Sequence, residues 1–264
     1  MSNLLFRLKK YFAYYLEKKG PHKIHSPFVF ELSTKVIRDT KQYAAYDKIL
    51  KARRMMLGNR NVIETVDFGS GAGNKSFATY RARVGKLAKA RTGSIKYYLL
   101  LYRLVAYFKP KTILEFGTST GLSTMSMALA NNDAHIVTME GCASVANVAT
   151  SVFERFELRN IDTAIGNFNN ILAENLAGIN QLDCVFFDGN HRKEPTLDYF
   201  NHCLTKATAQ SFFIFDDIHW SEEMEEAWDI IKNHKEVSVS VDLYQFGIVF
   251  FRTGIEKQHF VLSM

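Results

Sequence analysis

The sequence predicts an α/β fold: a doubly wound, seven-stranded sheet, mostly parallel, closed by an antiparallel C-terminal hairpin and preceded by N-terminal helices. Three observations carry this. From residue 112 onward, short β-branched and apolar runs alternate with helical stretches, the pattern of a parallel sheet wound with helices. The run KTILEFGTSTGLSTMS, residues 111–126, joins a buried strand to a helix through a turn bracketed by Gly117 and Gly121. The last two strands, VSVSVDL and FGIVFFR, are separated only by Tyr244-Gln245, which makes them a hairpin.

In chain order, Asn3 to Lys19 is amphipathic at helical spacing. Leu4, Leu5, Leu8, Phe12, Tyr15 and Leu16 recur along it, lysines fill much of the other face, and Gly20-Pro21 ends it. Such a helix is expected to pack on its own domain or on a second subunit, as in a homodimer, ahead of a membrane surface. Ser26-Pro27 is a helix start, with Ser as N-cap and Pro in the first helical position, opening Phe28 to Arg38. Tyr43 to Leu57 reads as a third helix, closed by Gly58-Asn59. His22 and His25 lie between helices with no Cys or acid clustered beside them, so they read as loop residues.

Val62 to Ser76, VIETVDFGSGAGNKS, holds an acid-x-Gly-x-Gly-x-Gly run and comes close to a phosphate-binding loop. Asn74 stands where that loop has Gly before its Lys, here Lys75, and the stretch that follows is basic rather than apolar. An ordinary glycine loop, or a flap over a site elsewhere, is the expectation, not nucleoside triphosphate binding. Ser94 to Phe108 is then an apolar helix ended by Lys109-Pro110.

Thr112 to Phe116 is the first sheet strand and Leu122 to Ala130 the helix after it. Their junction invites a ligand, because a helix N-terminus offers unpaired N–H groups and glycine lets a ligand approach the backbone. Glu115 near the strand end sets the preference: a carboxylate repels a pyrophosphate and attracts an ammonium or sulfonium group. S-adenosylmethionine (SAM) carries both cations. The next strand, His135 to Met139, ends in Glu140, where a Rossmann-like dinucleotide fold places an acid on ribose hydroxyls; the same geometry serves the ribose of SAM. A helix from Ser144 to Phe156 and a strand from Asp162 to Ile165 lead to Gly166-Asn167-Phe168, where Phe168 would flank an adenine and Asn167 hydrogen-bond it.

The strand Asp183 to Phe187 ends in Asp188-Gly189-Asn190-His191, and the strand Ser211 to Phe215 ends in Asp216-Asp217. Carboxylates converging at one sheet edge repel one another unless a cation binds or a proton is shared. Oxygen-only ligands favour a hard ion such as Mg²⁺, and helix capping by the aspartates is the competing account. Trp220 to Lys232 is an acidic helix whose Met224, Ala227, Trp228 and Ile231 face the core.

The net charge of +6 conceals a polarity: residues 1–111 hold 24 of the 33 basic and 6 of the 27 acidic residues. Mutual attraction between a basic front and an acidic back accounts for this more simply than a nucleic-acid surface, because aromatics interrupt every basic run. The odd number of cysteines, Cys142, Cys184 and Cys203, with no CxxC pair, points to reduced core thiols and a cytoplasmic protein. No apolar run is long enough to span a membrane, and the charge-broken N-terminus is not read as a secretory signal.

On these residues the chain resembles bacterial class I SAM-dependent methyltransferases of the catechol-O-methyltransferase-like group over residues 95–253. The Glu115-Phe116-Gly117 turn resembles that family's first motif, and Gly117, Gly121 and Ser123 match its Gly-x-x-x-Gly-x-Ser variant. The resemblance implies a SAM site of Glu115, Gly117, Thr118, Gly121, Ser123, Glu140, Gly141, Asn167, Phe168 and Asp188. It implies a metal site of Asp188, Asp216 and Asp217. Asp188 and His191 would be catalytic, with His191 standing where catechol-type enzymes carry a Lys base. Asp217 departs from the family's Asn. The resemblance implies O-methylation of a small-molecule hydroxyl, with RNA methylation or a non-catalytic nucleotide-binding module as alternatives. The expected organisation is a basic, mainly helical extension over 1–94 and a SAM-binding domain over 95–264.

Overall fold

In the computed structural model the described residues are 3–66 and 79–264. The glycine loop DFGSGAGNKS lies outside them apart from the strand that leads into it. Along the chain the elements are α1 (Asn3–Glu17), α2 (Pro27–Leu32), α3 (Ala44–Gly58), β1 (Val62–Val66), β2 (Thr79–Arg83), α4 (Val84–Arg91) and α5 (Ile95–Phe108). There follow β3 (Thr112–Phe116), α6 (Leu122–Ala130), β4 (His135–Glu140), α7 (Ala143–Arg155), β5 (Ile161–Ile165) and α8 (Phe168–Ala177). The last third holds β6 (Leu182–Phe187), α9 (Lys193–Leu204), β7 (Ala207–Asp216), α10 (Glu222–Asn233), β8 (Val239–Asp242), β9 (Phe246–Phe250) and β10 (Gln258–Val261). Strands β3 to β10 make a large, mostly parallel sheet, while β1 and β2 form a separate antiparallel ribbon. Two compact units divide the chain: Asp39–Gly178, and Met1–Arg38 together with Ile179–Met264.

In the unit Asp39–Gly178, β3, β4 and β5 run parallel, with Glu115 opposite Thr138 and Glu140 opposite Ile165. The strand TILEF is buried from Ile113 on, as its apolar pattern requires. Lys109 caps α5 in the left-handed region at φ 50°, and Pro110 prevents the helix from continuing. Behind the sheet, Leu122 and Met125 of α6 pack with Ala149, Val152 and Phe153 of α7 and with Ile49, Ala52 and Met56 of α3. The basic stretch after the glycine loop, which sequence periodicity leaves unassigned, forms β2 and α4. Val84, Leu87 and Ala88 supply α4 with a buried face despite its charge.

In the other unit, β6 and β7 are parallel, whereas β9 is antiparallel to both β7 and β8. The expected hairpin is therefore present, with Leu243, Tyr244 and Gln245 between β8 and β9. Among the described residues the sheet has eight strands rather than the expected seven, because Gln258–Val261 adds to β8 in parallel. That segment, QHFV, is short and lacks alternation, so its backbone pairing decides its state. The second predicted helix, Phe28 to Arg38, is α2 for one turn and a half and then a π-helical turn over Ser33–Ile37. Helix α10 begins at Ser221, whose hydroxyl accepts a hydrogen bond from Met224 N at 3.2 Å, and Glu222, Glu223 and Glu225 fill its first turn. These carboxylates oppose the positive end of the helix dipole. Cys142, Cys184 and Cys203 are all buried free thiols. Among the described residues, no helix is long and apolar enough to cross a membrane.

Candidate active site

The turn after β3 is tight. Gly117, Ser119 and Gly121 take φ values of 97°, 48° and 79°, and Gly117 N and Thr118 N both donate to Met139 O, at 2.9 and 3.1 Å. Gly121 caps α6, and a Cβ built on it would lie 2.7 Å from the Phe153 ring and 3.0 Å from Ala149 Cβ. Glycine is thus required both for the left-handed backbone and for the close approach of α7.

Glu115 lies beneath this turn with no exposed surface. Its Oε2 accepts from Thr124 Oγ1 at 2.5 Å and from Thr138 Oγ1 at 2.6 Å, while Oε1 is buried without a partner. Thr138 spends its proton on Glu115, so at their 2.7 Å contact Thr118 is the donor. Desolvation pushes the Glu115 carboxyl up to about 7, opposed by the nearby hydroxyls of Ser123, Thr124 and Thr138. The residue expected to meet a cofactor's cationic end is therefore a buried strut under the glycine turn.

Glu140, at the end of β4, is 8% exposed and works differently. Its Oε2 accepts from Ser119 N at 2.9 Å and its Oε1 from Cys142 N at 3.0 Å. One carboxylate thus ties the glycine turn to the turn containing Gly141, and each oxygen keeps a second lone pair. Asn167 caps α8, accepting from Asn169 N at 3.0 Å through its side-chain oxygen. Phe168 stands edge-on to Phe116, ring centroids 5.6 Å apart. Thr118 and Ser123 are buried beside the turn.

The aspartates belong to the other unit. His191 Nε2 lies 3.6 Å from Asp188 Oδ1, and both side chains are about one-fifth exposed, at 21% and 22%. Burial lowers the His191 pKa and the nearby Asp217 charge works against that shift. Asp216 is within hydrogen-bonding reach of Asp188, and desolvation, with the Asp217 charge second, pushes it up to about 7. Asn190, His191 and Asp217 have φ values of 67°, 20° and 56°, so both strand ends turn through the sparsely populated left-handed region. The Gln245 amide nitrogen bridges the acid pair, donating to Asp216 Oδ1 at 2.7 Å and to Asp217 Oδ1 at 2.5 Å.

Residues 114–218 match the family of methyltransferase domains. This segment is a methyltransferase domain. It contains Glu115, the glycine turn, Glu140, Asp188, His191, Asp216 and Asp217. Solved structures share the fold of this methyltransferase domain. One is the O-methyltransferase of Bacillus cereus in complex with SAH, at 17% identity and a TM-score of 0.56, covering 80% of this chain and 92% of that one. A second is the O-methyltransferase TomG of Streptomyces achromogenes, involved in tomaymycin synthesis and in complex with SAM, at 18% identity and a TM-score of 0.56, covering 85% and 95%. A third is the SAH-bound methyltransferase PaMTH1 of Podospora anserina, at 13% identity and a TM-score of 0.58, covering 87% and 97%. No protein of curated function matches the chain in sequence.

Within the methyltransferase domain, sequence reasoning passed over Thr124, Thr138 and Ser119, which hold the two glutamates. The strand alternation that places Thr138 and Glu140 on one face was the available signal. It also passed over Gln245, which lies beyond the domain in a hairpin turn. The aspartates supply the oxygen donors that a hard cation takes. Their arrangement does not fit one, because an N–H donor sits between Asp216 and Asp217. Among the described residues, no three His, Cys, Asp or Glu side chains are placed to hold a metal ion.

Proposed function

We propose that the protein is a SAM-dependent O-methyltransferase acting on a hydroxyl group of a small molecule. What supports the reading most is Glu140, a nearly buried carboxylate that grips the N–H groups of Ser119 and Cys142 and keeps acceptor capacity for ribose hydroxyls. The glycine turn and the N-terminus of α6 add approachable backbone beside it. Gly117, Thr118, Gly121, Ser123, Gly141, Asn167 and Phe168 complete the proposed cofactor set, with Glu115 stiffening it from below.

SAM supplies a methyl group on a sulfonium, so the protein's tasks are alignment and proton removal. His191 is the proposed base. Its lowered pKa keeps the ring neutral near pH 7. A proton taken at Nδ1 leaves Nε2–H toward Asp188, whose carboxylate stabilises the imidazolium. Gln245 holds Asp216 and Asp217 in place. The test is calorimetry with SAM and SAH, followed by transfer of a labelled methyl group to a panel of hydroxylated acceptors. Binding of NAD with no binding of SAM would overturn the reading.

A further inference from the structure

Helix α1 is docked the wrong way round for an ordinary surface helix. Its inward face is mostly polar. Lys10 Nζ pairs with Glu225 Oε1 at 2.6 Å, Tyr14 OH donates to Leu262 O at 2.7 Å, and the Arg7 guanidinium stacks 4.0 Å over the Trp220 ring. Tyr244 OH donates to Arg7 O at 3.0 Å, and among the described side chains of this helix only Phe6 is buried. The outward face carries Leu4, Leu5, Leu8, Phe12, Tyr15 and Leu16, each 55–69% exposed. At 100° per residue these six fall within one side of the helix. The polar anchors fix the orientation of α1, so the apolar stripe is presented to the outside. A continuous apolar stripe of this kind marks a partner.

The charges bordering the stripe select the partner. On the helical wheel Lys9 falls beside Leu16 at one edge, and Lys18 beside Tyr11 at the other. Lys18 Nζ lies 3.9 Å from the Tyr15 ring centroid, at the end of the stripe. The one acid of α1, Glu17, falls on the opposite side, and Lys10 is already paired with Glu225. A second copy packed on this stripe would set lysines against lysines with no acid between them. An anionic lipid surface is complementary: leucines and Phe12 enter the acyl boundary, Tyr15 sits at headgroup level and the lysines reach phosphates. We propose that α1 is an in-plane anchor that seats the protein on an anionic phospholipid surface. The inference is independent of the proposed methyl transfer.

The experiment is co-sedimentation of the whole protein with phosphatidylcholine vesicles, with and without phosphatidylserine, alongside sedimentation velocity without lipid. Binding is expected only to the phosphatidylserine vesicles and should fall with salt. The double variant Leu8→Glu/Phe12→Glu should weaken it about tenfold or more, and Lys9→Glu/Lys18→Glu should do the same. All four side chains are wholly or largely outside the packed face, so unchanged melting temperatures are expected to confirm folding. Equal binding to neutral vesicles, no binding to either, or insensitivity to both double variants would overturn the proposal. So would a lipid-free dimer that Leu8→Glu/Phe12→Glu dissociates, which would assign the stripe to a second copy.

Discussion

Replacing Gly121 by alanine is the sharpest single probe of the candidate cofactor turn. The residue has φ 79°, which costs an L-amino acid about 1–2 kcal/mol. The new methyl would stand 2.7 and 2.9 Å from two atoms of the Phe153 ring and 3.0 Å from Ala149 Cβ. Phe153 is 4% exposed and packed among Leu122, Met125 and Val152, so the ring has no space to retreat into. Overpacking of this kind costs about 1–3 kcal/mol. The two effects together predict a loss of about 2–5 kcal/mol in urea unfolding at an unchanged m-value. Two companions separate them. Gly121→Asn tolerates the left-handed region better but keeps the steric conflict, so it should remain destabilised by about 1–3 kcal/mol. Phe153→Leu should relieve part of the conflict, and the cycle with Gly121→Ala should show coupling of about 1–2 kcal/mol. A loss below about 1 kcal/mol for Gly121→Ala, or strict additivity with Phe153→Leu, would refute the account of why glycine stands there.

Three further outcomes follow from the site. Glu140→Gln removes the charge but not the shape, and should weaken SAM binding by about 1–3 kcal/mol in calorimetry; unchanged affinity would detach Glu140 from the cofactor. His219 sits between Glu225 and Asp242, with Nε2 2.8 Å from Asp242 Oδ2, and these partners raise its pKa from 6.5 to about 9 against the cost of burial. Its stabilisation is full below pH 6.5 and is lost as the pH rises through about 9, so His219→Gln should flatten the decline of melting temperature across that window. Because Gln245 bridges Asp216 and Asp217, Mg²⁺ or Mn²⁺ should leave the melting temperature unchanged; a rise that saturates with concentration would show that the amide swings aside for a cation.

Much of the fold was legible because the strands of this chain carry local signals. TILEF and HIVTME are apolar and β-branched, lie between turn residues and carry an acid at or one residue before their ends. Helix α10 announces itself with a Ser cap, three early glutamates and an apolar face. What stayed hidden rests on contacts distant in sequence. β10 exists because β8 offers a free edge, and α4 because Val84, Leu87 and Ala88 find a core that its lysines conceal. The wheel of α1 could be read from sequence, but not which side of it would be docked. That depended on Glu225, Leu262 and Trp220, more than 200 residues away.

The two glutamates show where a site stops being readable from one strand at a time. Glu140 ends its apolar strand and Glu115 stands one residue before the end of its own, each next to a turn, so sequence places both at the ligand edge. Pairing separates them. Glu115 lies opposite Thr138, and Thr138 precedes Glu140 by two residues on the same face of β4. Two residues of strand are about 6.6 Å of rise, so Glu140 stands one pleat nearer the carboxyl edge than Glu115. That step decides their chemistry. Glu140 reaches the backbone N–H groups of Ser119 and Cys142, which occupy one lone pair on each of its oxygens. Glu115 meets only hydroxyls, leaves Oε1 unpaired, and is pushed up to about 7. A ligand cation arriving from the carboxyl edge would therefore meet Glu140 first, while Glu115 would act through the Thr118 and Thr138 hydroxyls it orders. The register that makes this difference is fixed by β3 and β4 together, so neither strand's own sequence could supply it.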